Sequence, residues 1–166
     1  METIAIYKEK PIRTYGLQTV TDLCMVRIES PLEGLDELGL RLMKLGEKSV
    51  SFSLSFSQYS SRGFLRMYLL CRRESEDTLQ SILGHPDNQA ANIQVLINSP
   101  VEMIHFHGPH FGDRYGIAHT ALNALREHEI PILAANCSAA TMYIIFPENG
   151  ASDAKNILFK HFTTAA

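Results

Sequence analysis

The sequence predicts an α+β chain built from two similar βαββαβ halves, and three observations carry that expectation. "VSFSLSF" (50–56) and "LRMYLLC" (65–71) alternate between two faces, the period of strands with one buried side. Leu35, Leu38, Leu42 and Leu45 recur at helical spacing just before them. The same order of elements then returns at a period of about 80 residues, too long for a solenoid with two copies.

The elements follow in order. "LCMVRIE" (23–29) is a first strand. In "SPLEGLDELGLRLMKLG", Ser30 is placed to cap a helix, Pro31 suits its first position, Glu33 completes a capping box, and Gly46 is placed to end it. Strands at 50–56, with Val50, Phe52, Leu54 and Phe56 on the buried face, and at 65–71 form a hairpin around the turn-rich "SQYSSRG". Arg66, Tyr68 and the serines at 51, 53 and 55 then make the other, polar face. A second helix has Ser75 as its cap, Leu79, Ile82 and Leu83 as its stripe, and Gly84 with Pro86 as its stop. "NIQVLIN" (92–98) closes the first half.

The second half repeats this with a strand "VEMIHFH", a helix "DRYGIAHTALNALREH", strands "IPILAANC" and "TMYIIF", and a helix capped by Ser152 that buries Ile157, Leu158 and Phe162. Gly34-Leu35 and Gly116-Ile117 open the paired helices at the same offset as Val50 and Ile132 in the strands that follow. The alternation predicts split-βαβ, ferredoxin-like modules, with antiparallel sheets and helices on one face. The second copy runs out of chain after its last helix. "TIAIY" (3–7) is a strand with no place in the first copy, so the N-terminal strand is expected to complete the second module. The expected division is 20–98 for the first module and 99–166 plus 1–18 for the second.

The chain has 166 residues, 45% of them hydrophobic and 20% charged, with a net charge of −3. That is a globular composition. Lys and Arg are scattered, so the electrostatic footprint of a nucleic-acid partner is missing. The first residues lack a signal peptide's apolar core, and no run approaches the roughly 18 apolar residues of a membrane span. Cys24, Cys71 and Cys137 are an odd, unclustered set, read as small hydrophobes in a reducing cytoplasm.

Two clusters bear on chemistry. His105 and His107 share one face of a strand, and with His110 they could chelate zinc or nickel. The alternative is that they line an exposed or intersubunit sheet face. Gly108, Gly112, Asp113 and Gly116 make a loop whose backbone can approach a small anion at a helix start. Cys137-Ser138 at a bend lacks a legible His/Asp partner, so no enzymatic role is expected.

From residue 103 onward, "IHFHGPH…YGIAHTALNAL", "EIPILAANCS" and "TMYIIFPENGASDAKNILFKHF" resemble, in position, the closing ACT domain of aspartate kinases. Residues 23–98 resemble the preceding ACT domain more loosely, and "TIAIY" resembles the strand before the pair. The resemblance is to the regulatory half only, with no kinase domain, and implies a free-standing ACT pair. It implies amino-acid binding at Gly108, His110, Phe111, Gly112, Asp113, Tyr115, Gly116, Ile117 and Ile132, and at Glu33, Gly34, Leu35 and Ser49 in the first copy. It implies no cofactor, a homodimer joined through ACT sheets, and a partner enzyme of amino-acid metabolism. The family's effector-holding asparagine is replaced by Pro131 and Ser49, and its first-domain aspartate by Pro31. Two other readings stand beside this one: a metal-binding module, and a structural dimerisation unit with no ligand.

Overall fold

A computed structural model describes residues 12–84, 92–109, 111–112, 114–138 and 140–164. The expected strand at 3–7 lies outside them, as do Pro86, His110 and Asp113. The chain divides into two units: one spans Asp22–Val101, and the other takes the segments that flank it. Both cuts, at 21/22 and 101/102, fall inside long strands rather than in linkers.

The strands are β1 (Ile12–Thr14), β2 (Leu17–Pro31), β3 (Phe52–Tyr59), β4 (Phe64–Arg72), β5 (Gln94–His107), β6 (Ala134–Ser138), β7 (Thr141–Pro147) and β8 (Phe162–Thr164). The helices are α1 (Leu35–Glu47), α2 (Glu76–Leu83), α3 (Ile117–Glu127) and α4 (Gly150–Leu158).

In the Asp22–Val101 unit the strands lie in the order β3-β4-β2-β5, with β4 antiparallel to both β2 and β3. Cys24, Val26, Ile28, Leu69 and Cys71 pack against Leu38 and Leu45 of α1 and Leu79 and Leu83 of α2. Leu54 and Phe56 do not join them. An irregularity between Phe52 and Leu54 shifts the pairing by one residue, so Phe52 faces Cys71 but Phe56 pairs with Tyr68. Because side chains alternate with period two, the shift turns Phe56 to the face of Tyr68, where their rings stack at 4.7 Å. Arg41 is a buried cation in this unit, 4% exposed. Its Nε donates to Glu37 Oε1 at 2.7 Å, and Nη1 donates to the Leu83 carbonyl that closes α2.

Neither end of α1 follows the sequence reading. Ser30 is not a helix cap: β2 runs through it to Pro31, a 3-10 turn (Leu32–Gly34) intervenes, and Gly34 precedes the helix. Ser30 is fully buried, and its Oγ donates to the Pro31 carbonyl at 3.0 Å. At the other end Gly46 is still helical. The stop is Ser49, left-handed at φ 57°, whose N–H donates to the Gly46 carbonyl while the Val50 N–H donates to Leu45. This is a Schellman closure. The same closure ends α3, with Glu129 at φ 55°, its N–H on Arg126 and the Ile130 N–H on Leu125. The counterpart of Val50 is therefore Ile130, not Ile132, because α3 has 11 residues where α1 has 13.

The flanking unit orders its strands β2-β5-β7-β6 and adds a separate parallel pair, β1 with β8. "NIQVLIN" and "VEMIHFH" are one strand, β5, which passes through Pro100. Ser99 Oγ donates to Glu76 Oε2 at 2.6 Å there. Ser152 lies inside α4, whose start is Asn149 at φ 65°. The chain does not run out after this helix. The Phe159, Lys160 and His161 N–H groups fold back on Lys155, Ile157 and Leu158, and the His161 carbonyl then accepts from the Ile12 N–H at 3.0 Å. That pairing makes Phe162 a strand residue rather than a helical one, fully buried with its ring 4.9 Å from Phe106. The core here is Ile12, Leu17, Ile104, Phe106, Ile144 and Phe146 against Ala121 and Leu125 of α3 and Ala154 and Leu158 of α4. No helix among the described residues is long and apolar enough to cross a membrane.

Candidate functional site

The site grows from the turn after β5. Gly108 sits where a Cβ would collide with the Arg13 carbonyl and the Phe111 ring, so only glycine lets β1 come this close. The Tyr15 N–H donates to the His107 carbonyl at 2.9 Å beside it. The turn tucks Phe111 inward, 8% exposed and edge-on to Phe106 at 6.0 Å. Gly116 then takes φ 87°, a conformation that costs any other residue about 1–2 kcal/mol, and opens α3.

The start of α3 has no side-chain cap and no acidic residue in its first turn. Among the described residues no side chain therefore accepts from its leading N–H groups, where the positive end of the helix dipole lies. This start lies at a hollow of about 220 Å³, walled by Phe111, Arg114, Tyr115 and Ile117 on one side and by Cys137, Thr141 and Met142 of the β6–β7 hairpin on the other. A guanidinium, a helix start and a hydroxyl around an apolar floor can hold a small carboxylate while its side chain rests on Met142 and Phe111.

The structure brings Phe111, Tyr115, Gly116 and Ile117 together and keeps Gly108 for close packing. Gly112 is an exposed turn residue, and Ile132 packs against the core without lining this hollow. His110 and Asp113 lie outside the described residues. Glu33, Gly34 and Leu35 sit at the head of α1 and Ser49 at its tail, about 20 Å apart along a 13-residue helix, so they do not form one site within their unit. Glu33, Asp36 and Glu37 stand around the start of α1, with Glu37 paired to Arg41, whereas the first turn of α3 carries no acidic residue. Arg114, Cys137, Thr141 and Met142 were not singled out from the sequence as ligand contacts. The last three reach the hollow only because β6 and β7 pair Cys137 with Met142 and Ser138 with Thr141.

Cys137 is exposed rather than a core hydrophobe. Partial desolvation raises its thiol above the ordinary value, which disfavours the thiolate a nucleophile needs. Cys24 and Cys71 are buried, directly opposite each other on β2 and β4.

His105 and His107 meet different rings. His107 is exposed with its ring 5.3 Å from Tyr15, and His105 is half-buried against Tyr143 at 5.9 Å. Among the described residues no group of three His, Cys, Asp or Glu is placed to hold a metal ion. Burial, and next the neighbouring His107, hold the His105 imidazole below its ordinary value of 6.5. A depressed histidine stabilises the fold while neutral, so its contribution is present above pH 6.5 and is lost as pH falls through the folded value. His105→Gln is expected to flatten the fall in urea midpoint as the pH drops below 6.5, relative to the parent. An unchanged slope would remove His105 from the account.

No protein-family model matches the sequence, and no curated protein matches it. Solved structures do. The regulatory subunit of aspartate kinase from Thermus flavus superposes with a TM-score of 0.77 at 11% identity, over 89% of this chain and 97% of that one. Aspartate kinase from Synechocystis gives 0.76 at 16% identity, over 97% of this chain but 28% of its own length. Escherichia coli aspartokinase III, solved with lysine and aspartate, gives 0.61 at 17% identity, over 92% of this chain and 34% of that enzyme. Over about nine-tenths of its length, the chain has the fold of the regulatory ACT region of aspartate kinases and contains no kinase domain.

Proposed function

We propose that this protein is a non-catalytic regulatory module that binds a small carboxylate, an amino acid, at the head of α3. The observation that carries the reading is the uncapped start of α3 beside Arg114 in a hollow of about 220 Å³. That volume lies below the roughly 300–1,000 Å³ of drug-sized sites, and the chemistry around it suits a carboxylate with a short apolar or thioether-sized side chain. Escherichia coli aspartokinase III, of related fold, is solved with lysine and aspartate bound. The acidic head of α1 makes this one site per chain rather than two.

Occupancy acts on a partner enzyme of amino-acid metabolism, and the protein works as a homodimer. In support, β3 and β6 stand at the ends of their strand orders, and unpaired strand edges seek another strand. A dimer without a ligand is the second reading, favoured by Ser49 and Pro131 in place of the effector-holding asparagine.

Thermal melts against the twenty amino acids test the proposal. A ligand at a hundred times its dissociation constant adds about 2.7 kcal/mol, which raises the melting temperature by roughly 5–10 °C in a chain of this size. Arg114→Ala and Thr141→Val are expected to abolish or sharply reduce that rise. Twenty flat traces would leave the dimer without a ligand, whereas a rise that survives both substitutions would overturn the head of α3 as the site.

A further inference from the structure

Beside α3 lies a larger hollow, of about 790 Å³, whose wall includes Arg114, Tyr115, His119, Asn123, Lys160 and His161. Among the described residues the carboxylate in its lining is Glu127, which accepts from Asn123 Nδ2 at 2.6 Å, while Asn123 Oδ1 accepts from Arg126 at 2.6 Å. That negative charge is thus tied into a network that holds a guanidinium. The other charged groups of the lining, Arg114 and Lys160, are positive, and His119 and His161 add ring N–H donors. Tyr115 is 90% exposed, a flat apolar surface left open at a polar groove.

We propose that this groove binds a phosphate-bearing ligand of nucleotide size, its phosphoryl oxygens held by Lys160, His161 and His119 and its base laid on Tyr115. Size argues for it, because the volume sits within the range of cofactor-sized sites and a free amino acid would leave most of it to water. Charge argues for it too: a compact ammonium beside imidazole donors suits a phosphoryl group. A planar aromatic on the wall matches a ligand with a π-face, which a sugar phosphate lacks.

The groove is separable from the amino-acid hollow. Lys160 and His161 line the first and not the second, Cys137 and Thr141 the second and not the first, and Arg114 and Tyr115 form a wall common to both. The proposal therefore stands or falls apart from the amino-acid reading.

Calorimetric titration of the full chain at about 0.15 M salt, where weak surface attraction is screened, tests it with ADP, inorganic pyrophosphate and adenosine as probes. ADP is expected to bind saturably, pyrophosphate more weakly and adenosine not measurably. Lys160→Ala, an exposed position outside the core, should weaken ADP about tenfold while leaving any amino-acid-dependent melting rise unchanged. Tyr115→Ala should weaken ADP severalfold and pyrophosphate not at all. Absent heat with ADP, unaltered ADP affinity in Lys160→Ala, or adenosine binding as tightly as ADP would overturn the proposal. Pyrophosphate binding as tightly as ADP, with Tyr115→Ala without effect, would overturn the nucleotide assignment.

Discussion

Phe106→Ala is expected to lower the unfolding free energy by about 3–5 kcal/mol, the cost of removing a fully enclosed aromatic from a core that collapses only in part. Phe106 has no exposed surface, and it is where three segments meet. Its ring lies 4.9 Å from Phe162 of β8 and 6.0 Å, edge-on, from Phe111 in the turn before α3. The loss is a large share of the roughly 5–15 kcal/mol that separates most folded domains from their unfolded chains. Urea titration followed by circular dichroism should show a markedly lower midpoint. Phe106→Leu, which keeps most of the volume, should recover most of it. The substitution also frees Phe111, so the variant should lose its response to the amino-acid ligand even at temperatures where it is folded. A midpoint within about 1 kcal/mol of the parent would show that the Phe106–Phe162 contact does not hold β8 in place.

Gly108→Ala and Gly39→Ala are expected to move stability in opposite directions, although each adds one methyl group. At Gly108 the new Cβ meets the Arg13 carbonyl and the Phe111 ring. A backbone oxygen cannot swing aside, so β1 must retreat from the end of β5, at a cost of about 1–3 kcal/mol for overpacking. At Gly39, inside α1, nothing lies within 4 Å of the added atom, and no unusual backbone angle is needed. Alanine there removes the entropy penalty of a helical glycine and should add about 0.5–1 kcal/mol. Paired thermal melts decide the matter: a Gly108→Ala variant that melts no lower than the parent would refute the close approach of β1 to Gly108, and a Gly39→Ala variant that melts lower would refute the open space beside Gly39. Phe111 is also displaced by Gly108→Ala, so that variant should bind the carboxylate ligand more weakly, whereas Gly39→Ala should bind it as the parent does.

Much of the element order was legible because period-two and helical patterns are local properties. The helical stripe Leu38-Leu42-Leu45, the hairpin of β3 and β4 and the strands "TMYIIF" and "LCMVRIE" all read directly. The errors cluster where a local signal competes with a tertiary one. Ser30 followed by Pro31 and Glu33 is a sound cap signature, yet Ser30 is buried in β2, which runs on to Pro31, and a 3-10 turn over Leu32–Gly34 follows before α1 begins at Leu35. Leu54 and Phe56 alternate correctly but turn over at an irregularity that no composition rule marks. Phe162 reads as the last apolar residue of a helix and becomes a strand residue because β1, from the far end of the chain, pairs with it.

The candidate site divides in the same way. Gly116 and the loop before it were readable as a helix start that approaches a ligand, since a left-handed residue ahead of a helix favours glycine. What faces that start was not. Cys137, Thr141 and Met142 come from a hairpin some twenty residues on, and nothing local says which strand lies against α3.

The amino-acid order by itself determined the two-fold repetition of strand and helix and which face of most elements is apolar, because these follow from spacing along the chain. The tertiary structure alone decided that the β6–β7 hairpin, with Cys137, Thr141 and Met142, lies against the start of α3 and walls a hollow there. The reason is that packing joins segments with no covalent proximity. The field at a helix end depends on what packing brings there, and the spacing of residues within the helix does not encode it.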